Sequence, residues 1–349
     1  MSGIFQAERI NRWTLWMLVL CGLLAAASAG EAGNRLVAVQ PRVQSWTVVV
    51  YGHADHNLSY SLALDLAEMS RARIGNHLRV IVVADWDASR KDEQTGRPFP
   101  TGTEWLRIRG NQQAPLRILQ QPEQDFDDPQ VLRTVVQQAL RRFPARRYGL
   151  ILWDHGGGWE NGFGGDTQNG QRSWPGTMPV TAVAQAVREA IRARGIARLD
   201  FLAFDTCLMA GAEVLPEVVD LATVYLACAE LDFGDGWDYE RTLTWLSANS
   251  TRTAQEFARA EVGFWDAHHR LPADVLVKSH AAFDLTQWPA VAQAAQRLAQ
   301  AIGSTPPAAR LPLARALATT LPGYWTLAER QLNPQLRDLG QLCVQWSGF

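Results

Sequence analysis

Residues 148–159 read YGLILWDHGGGW, a short apolar run that ends at an Asp-His pair and three glycines. Residues 199–209 read LDFLAFDTCLM, a similar run in which a cysteine lies three positions after the last aromatic residue. Short, continuous apolar runs are typical of strands that are buried on both faces of a parallel sheet. His155 and Cys207 therefore each follow the carboxyl end of a predicted strand.

The neighbouring sequence continues this strand pattern. Further apolar runs lie at residues 46–52, 78–84 and 223–228, and amphipathic segments with helical spacing lie between runs, for example over 132–140 and 180–191. The alternation predicts an α/β fold with a mainly parallel β-sheet covered by helices on both faces. After about residue 251 the pattern is mostly helical, with one more predicted strand at 275–283. We therefore expect a helical C-terminal part.

The first 29 residues carry the pattern of an export signal. Arg9 and Arg12 precede an apolar run from Trp13 to Ala27, and the small residues that follow fit a cleavage site after Ala29. The run has about 15 residues, whereas a membrane-spanning helix needs ~20. The expected segments are a signal peptide (1–29), a flexible lead (30–45) and one domain (46–349). The mature protein would then be secreted or periplasmic, without stable membrane association.

Composition argues against several other classes of protein. The 33 basic and 35 acidic residues nearly balance, so there is no surplus of positive charge to neutralise a phosphate backbone, and no nucleic-acid partner is expected. Hydrophobic residues make up 47% and charged residues 19%, which is typical of a globular chain rather than a disordered one. The four cysteines include no C-x-x-C pair, which argues against a disulfide scaffold or a zinc ribbon.

A cysteine and a histidine at matched strand ends can act as a nucleophile and its base. Neighbouring strands lie about 4.8 Å apart, so both side chains can face one cleft. A thiol needs a base or a positive charge to react near neutral pH, and a helix that starts after Cys207 would favour the thiolate. Glycines 156–158 would let a substrate backbone approach closely. From the residues alone, a Cys–His hydrolase and an unrelated pair of packed or capping side chains both stay open.

The same blocks resemble the clostripain family of cysteine peptidases, which belongs to the clan of caspases, gingipains and legumains. DHGGGW after one strand and FDTCLMAGAEV after the next carry the likeness. Three further blocks are similar to blocks of the family: WTVVVYGHADHNL at 46–58, GDGWDY at 234–239 and SHAAFDL at 279–285. The resemblance covers about residues 46–300 and is weak over the last ~50 residues. It implies a caspase-like fold.

The catalytic roles are implied by this resemblance. Cys207 would be the nucleophile, His155 the general acid–base group, and the backbone N–H groups of Gly156 and Cys207 would hold the oxyanion. Catalysis would pass through a thioester acyl-enzyme, with peptides or proteins as substrates. No cofactor is required for this chemistry. Calcium binds to some relatives, but no Asp-rich calcium loop is visible here, so calcium stays open, as does the oligomeric state.

The substrate preference is also implied by the resemblance, because the family cleaves after arginine and less often after lysine. Asp205 matches the carboxylate of the family's substrate pocket, and Asp235 in the GDGW block is a second candidate. A carboxylate can hold a guanidinium in a bidentate pair, which lysine cannot reproduce. The alternative role for Asp205 is that of an N-cap for a following helix.

Two departures from the family pattern keep other functions open. Thr206 stands where the family commonly has alanine, and the loop at 229–233 is apparently one residue shorter than usual. One alternative is therefore a catalytically silent binding module. Another is a metallohydrolase that uses His53 and His56, although no third ligand stands at a zinc-like spacing.

The connector between the histidine and cysteine strands suggests how the protein matures. Residues 161–179 are rich in glycine and polar residues, and Arg172 is the single basic residue among them. Such segments are where proteolytic nicking concentrates. The family often cuts itself between these two strands, so the resemblance predicts self-activation by cleavage after Arg172. An ordinary solvated loop arginine is the alternative.

Overall fold

The computed structural model describes residues 44–167, 178–269, 278–320, 323–326 and 331–337. In this part, the main sheet has the strands β1 (Gln44–Ala54), β2 (Leu78–Trp86), β3 (Glu104–Ile108), β4 (Leu116–Gln120), β5 (Ala145–Trp153), β6 (Leu199–Asp205), β7 (Ala222–Cys228) and β8 (His280–Asp284). Their order is β4-β3-β2-β1-β5-β6-β7-β8. The five central strands pair in parallel, while β3, β4 and β8 pair antiparallel at the two edges. The predicted mainly parallel sheet is confirmed.

Helices connect most of these strands. They are α1 (Ser59–Arg71), α2 (Pro129–Arg142), α3 (Gly158–Asn161), α4 (Val180–Arg192), α5 (Leu215–Val218), α6 (Tyr239–Ser247), α7 (Ala254–His268), α8 (Trp288–Ser304) and α9 (Pro307–Thr320). A two-stranded antiparallel sheet follows, formed by β9 (Gly323–Thr326) and β10 (Gln331–Arg337). Local signals set several helix starts: Asp128 caps α2, and Thr253 and Glu256 form a capping box at α7.

Helices cover both faces of the sheet, because successive residues of a strand point to opposite faces. In β1, Val49 belongs to the buried cluster that contains the apolar stripes of α2 and α4. Val50, the next residue, belongs to the cluster formed with α1, α6 and α7. A slip of one residue would exchange the two faces, so this two-sided packing fixes the register of the strands. It therefore also fixes where each strand ends.

Two features of the sheet differ from the sequence-based expectation. Strands β3 and β4 have no predicted counterpart, because each has only five residues and β4 is a mostly exposed edge strand. Strand β8 begins at His280 rather than at residue 275, and it runs antiparallel to β7. Residues 270–277 lie outside the described part of the chain.

Several predicted features also lie outside the described residues. They are the signal peptide at 1–29, the lead as far as residue 43, and Arg172. Among the residues that are described, no helix is both long enough and apolar enough to cross a bilayer.

Candidate active site

The pairing of β5 with β6 brings the predicted catalytic residues together. Trp153 is aligned with Asp205 in this parallel pair, so His155 and Cys207 each lie two residues beyond paired positions. Both side chains line one cavity of about 160 Å³ at the carboxyl end of the sheet. This is where sites form in open parallel sheets. The sheet register therefore accounts for the meeting of two residues that are far apart in the sequence.

The loops that follow the two strands pack tightly against each other at Gly156. A Cβ atom added at this position would overlap the carbonyl oxygen of Cys207 and crowd the Thr206 hydroxyl. Gly158 has a φ of +70°, a conformation that other residues rarely adopt. The glycines thus bring the backbone after His155 against the backbone at Cys207.

The Cys207 thiol is held as a neutral group in the free protein. The backbone N–H of Asp232 donates to Sγ at 3.2 Å. Burial raises the pKa of Cys207 to about 11, and the Asp232 and Asp205 carboxylates add to this effect, while the bond from the Asp232 N–H opposes it. The expectation that a helix start would favour the thiolate is wrong. Leu208 has a φ of +63°, and the next helix, α5, begins only at Leu215.

His155 is positioned as a neutral imidazole. Its Nε2 lies 3.0 Å from Oδ1 of Asn57, and its ring centroid lies 4.9 Å from that of His56. Burial lowers the pKa of His155, and nearby His56 and His53 lower it further, while Asp154 opposes them. At neutral pH the ring therefore carries no charge and can accept the proton of a thiol.

His53 and His56 form a buried ionic cluster with Asp154 beside His155. His53 Nδ1 contacts one carboxylate oxygen of Asp154, and His56 Nε2 lies 2.6 Å from the other. Burial alone would raise the pKa of Asp154, but the two imidazoles hold it well below its usual range. All three residues are at least 96% buried, and the carboxylate of Asp154 is already paired with both imidazoles. These contacts with Asp154 account for the burial of both histidines without a role in binding a hydrolytic metal ion.

Besides Asp154, three acidic residues line the same cavity as the Cys–His pair: Asp65, Asp205 and Asp232. Each accepts a hydrogen bond from a neutral donor: Asp205 from the Tyr239 hydroxyl at 2.6 Å, Asp65 from Trp153 Nε1 at 2.7 Å, and Asp232 from Trp265 Nε1 at 3.1 Å. Burial raises the pKa of Asp205 well above its usual range, and the nearby Asp232 carboxylate raises it further. Acidic groups are thus concentrated beside the thiol, and burial disfavours their charged forms in the free protein.

The structure separates the two acidic residues that the sequence suggested for the substrate pocket. Asp205 lines the cavity and starts no helix, so the alternative N-cap role is wrong. Asp235 is exposed and lines a neighbouring hollow with Glu68, Arg71 and His268. The sequence analysis missed Asp65 and Asp232. Asp232 lies in the shortened loop at 229–233, which is the one signal that pointed to it.

The connector that contains Arg172 is fixed at both of its described ends. Phe163 and Met178 pair through two backbone hydrogen bonds, of 2.9 and 3.0 Å. Residues 162–166 are buried, so the described chain stays packed as far as Thr167 and resumes at Met178, beside Phe163. Arg172 lies between these ends, outside the described residues.

Comparisons with known proteins agree with this geometry. The model of the clostripain family matches residues 50–335. The structure of a secreted C11 cysteine protease from Bacteroides thetaiotaomicron, in complex with an irreversible peptide inhibitor, is 22% identical; the match covers 74% of this chain and 71% of that one, with a TM-score of 0.59. An inactive zymogen C11 protease from Parabacteroides distasonis is 16% identical, with coverage of 88% and 79% and a TM-score of 0.62. None of the curated proteins matches.

The structural likenesses establish the shared caspase-like α/β fold, and the family match extends over most of the chain. Peptides or proteins are accordingly its substrates. With a cysteine and a histidine in one cleft at the carboxyl end of such a sheet, this chain belongs to the clostripain family and is a cysteine peptidase.

Proposed function

We propose that the protein is an exported endopeptidase that cleaves peptide bonds after arginine, and less efficiently after lysine, through Cys207 and His155. The observation that carries this proposal is the group of three carboxylates beside the thiol. Asp65 and Asp205 are buried, and among the described residues Oδ2 of Asp232 is buried without a hydrogen-bond donor. A guanidinium supplies several N–H donors and a positive charge, so it fits such a pocket. The pattern of an export signal at residues 1–29 supports the location.

The proposed reaction begins when the arginine side chain enters the carboxylate pocket. Its positive charge offsets the carboxylates that raise the pKa of Cys207, and His155 takes the thiol proton. The sulfur attacks the carbonyl carbon of the substrate, and the N–H groups of Gly156 and Cys207 stabilise the oxyanion. The C–N bond then breaks, and the departing amine takes the proton from His155. Water, deprotonated by His155, then attacks the thioester carbonyl; the C–S bond breaks, the acid product leaves, and the sulfur takes the proton back from His155.

Peptide reporters that differ only in the residue before the scissile bond test this function. We expect kcat/KM to be about tenfold or more higher for arginine than for lysine, since lysine cannot form the bidentate pair. Aspartate reporters should not be cleaved, because like charges repel in the pocket. Iodoacetamide should abolish all cleavage. A profile dominated by acidic or apolar residues, or activity that survives alkylation, would contradict the proposal.

Self-activation at Arg172 is a second expected result. An enzyme that prefers arginine finds one arginine in the connector at 161–179, whose ends are pinned at residues 163 and 178. Intact-mass measurement of the active protein should show two chains divided after Arg172. The chains should stay associated, because β5 and β6 pair along the sheet on either side of the cut.

Two variants determine whether this cleavage occurs and matters. Cys207→Ala protein purified alone should stay uncut, since it lacks the nucleophile, and Arg172→Ala protein should accumulate as one chain of low activity. An Arg172→Ala variant that matures and works as well as the unchanged protein would rule out this step.

A further inference from the structure

A cysteine, a histidine and an aspartate meet where β7 pairs with β8, the last strand of the main sheet. Cys228 ends β7 and His280 begins β8, and the two residues lie directly opposite each other in this antiparallel pair. Residues opposite each other point to the same face of a sheet, so their side chains are neighbours. Asp232 lies in the loop after β7, and one ligand atom from each of the three residues lies within 4.8 Å of the other two. A sulfur, a nitrogen and an oxygen thus converge.

The spacing of the sulfur and the nitrogen fits a tetrahedral zinc ion. Zinc–sulfur bonds are about 2.3 Å long and zinc–nitrogen bonds about 2.0–2.1 Å, so at the tetrahedral angle the two ligand atoms are about 3.6 Å apart. Sγ of Cys228 lies 3.4 Å from Nδ1 of His280. This distance is close to the one that a bound ion would impose. Three protein ligands and one water are a common coordination of zinc.

The aspartate contributes an oxygen that has no donor. Oδ1 of Asp232 accepts from the backbone N–H of Phe233 at 2.8 Å and from Nε1 of Trp265 at 3.1 Å. Oδ2 of Asp232 is buried and has no hydrogen-bond partner among the described residues. A buried carboxylate oxygen without a partner is costly. A cation bound to Oδ2 would remove this cost.

Neighbouring side chains hold the imidazole in the orientation that a metal ligand needs. Oε2 of Glu261 lies 2.6 Å from Nε2 of His280, which leaves Nδ1 facing the cysteine sulfur. Metal-binding histidines usually donate their other ring N–H to a carboxylate in this way. The Trp265 ring stacks on the imidazole, with centroids 5.2 Å apart and 24° between the planes. Glu261 and Trp265 are four residues apart on α7, so one face of this helix fixes the cluster.

We propose that Cys228, Asp232 and His280 bind one zinc ion, and that this zinc competes with the arginine side chain of the substrate for Asp232. Sulfur and nitrogen donors beside a single carboxylate favour zinc over calcium and magnesium, which take oxygen ligands. On binding, the S–H bond of Cys228 breaks, the thiolate becomes a ligand, and the proton passes to water. The lone pair of His280 Nδ1 forms the second bond, so no oxidant or reductant takes part.

The competition follows from the position of Asp232 in the substrate cavity. Asp232 lines that cavity together with Cys207, and its backbone N–H donates to the Cys207 sulfur at 3.2 Å. An ion can therefore reach the cluster from the cleft. Oδ2 of Asp232 is also the oxygen that the proposed pocket offers to a guanidinium, so zinc and arginine need the same atom. This part of the inference rests on the proposed arginine preference, whereas zinc binding itself does not.

Calorimetric titration with zinc tests the site without an activity assay. Full-length Cys207→Ala protein, stripped with EDTA, is used so that the catalytic thiol cannot bind the metal. We expect one zinc ion per chain, at micromolar zinc, that depends on Cys228. Adding Cys228→Ser, which keeps a hydrogen-bonding group opposite His280, should weaken this binding at least about tenfold. Cobalt in place of zinc should give a thiolate-to-cobalt charge-transfer band that the Cys228→Ser change removes.

His77→Gln provides the matched control in the same Cys207→Ala protein. It removes an exposed imidazole from the connection between α1 and β2, and it should bind zinc like the parent protein. The site is overturned if no zinc binds at micromolar concentrations. It is also overturned if the Cys228→Ser and His77→Gln proteins bind zinc equally, or if excess calcium prevents zinc from binding.

Kinetics on arginine reporters test the competition in the active protein. Zinc should raise KM with little change in kcat, and EDTA should reverse the effect. Cys228→Ser alone should keep most of its activity without zinc and should need at least about tenfold more zinc for the same rise in KM. Equal inhibition of the Cys228→Ser and unchanged proteins would mean that zinc acts at Cys207 and His155, and it would overturn the competition. A failed arginine preference would leave the calorimetric result unchanged, so the two proposals fail separately.

Discussion

Cys207→Ala protein is expected to lose at least about four orders of magnitude in kcat/KM on arginine reporters while keeping its fold. Without the sulfur no acyl-enzyme can form, and the remaining groups can only bind substrate and polarise its carbonyl. His155→Ala should cost a similar amount, since the pair acts as a unit. Cys207 lies at a turn between β6 and α5 and is only partly buried, so alanine leaves the core intact. Circular dichroism and unfolding temperature check the fold.

Cys228 offers a matched control for this result. Its Sγ lies 3.4 Å from His280 Nδ1, and the other nitrogen of His280 lies 2.6 Å from Glu261, which resembles a catalytic arrangement. However, Cys228 is fully buried and burial raises the pKa of its thiol well above its usual range. Cys228→Ala should therefore keep most of the peptidase activity.

Alkylation provides a readout that is independent of turnover. Iodoacetamide should modify Cys207 and spare Cys228. The rate of Cys207 alkylation should keep rising with pH towards the Cys207 pKa of about 11, because only the thiolate reacts. Peptide mapping identifies the modified residue. An active, purified Cys207→Ala protein, or inactivation that maps to Cys228, would contradict the assigned nucleophile.

The meeting of Cys207 and His155 in one cleft could be predicted from the sequence because it depends on few physical facts. Apolar runs identified β5 and β6, and parallel strands end at the same edge of a sheet, so a histidine and a cysteine just beyond them can face one cleft if the strands are neighbours, which the sheet order confirms. The apolar stripes of α2 and α4 could also be predicted, since the helical spacing of apolar residues is visible in the sequence whatever the helices pack against. The resemblance to the clostripain family then supplied the expected catalytic roles of His155 and Cys207.

The substrate pocket depends on geometry that the periodicity of the sequence does not report. Asp65 reaches the cleft from α1, and Asp232 reaches it from an irregular loop, so neither stands in a recognisable pattern. Asp235 had the stronger motif, yet it lies three residues further along that loop and lines another hollow. The turn at Leu208, which replaces the expected helix start, depends on a positive φ that is uncommon for leucine.

Asp205→Asn is expected to lower kcat/KM for arginine reporters by about two to three orders of magnitude, the usual cost of truncating one partner of a buried charge pair. The asparagine oxygen can still accept from the Tyr239 hydroxyl, which lies 2.6 Å from the carboxylate. Because burial already disfavours the charged form of Asp205, we expect the unfolding temperature to stay the same or to rise. The variant should also have a lower kcat/KM for lysine reporters, because the lost carboxylate would attract any cationic side chain.

Asp235→Asn is the matched control, since it removes one exposed carboxylate from the neighbouring hollow, and it should change kcat/KM for arginine less than about threefold.

The rate of alkylation distinguishes a role of Asp205 in substrate binding from damage to the Cys–His pair. Loss of the Asp205 charge removes one of the groups that raise the Cys207 pKa, so iodoacetamide should react with Asp205→Asn at least as fast as with the unchanged protein. Slower alkylation together with lost activity would mean that Asp205 supports the nucleophile rather than the substrate. Equal losses of kcat/KM in the Asp205→Asn and Asp235→Asn variants would mean that the residues of the GDGW block also form the arginine pocket.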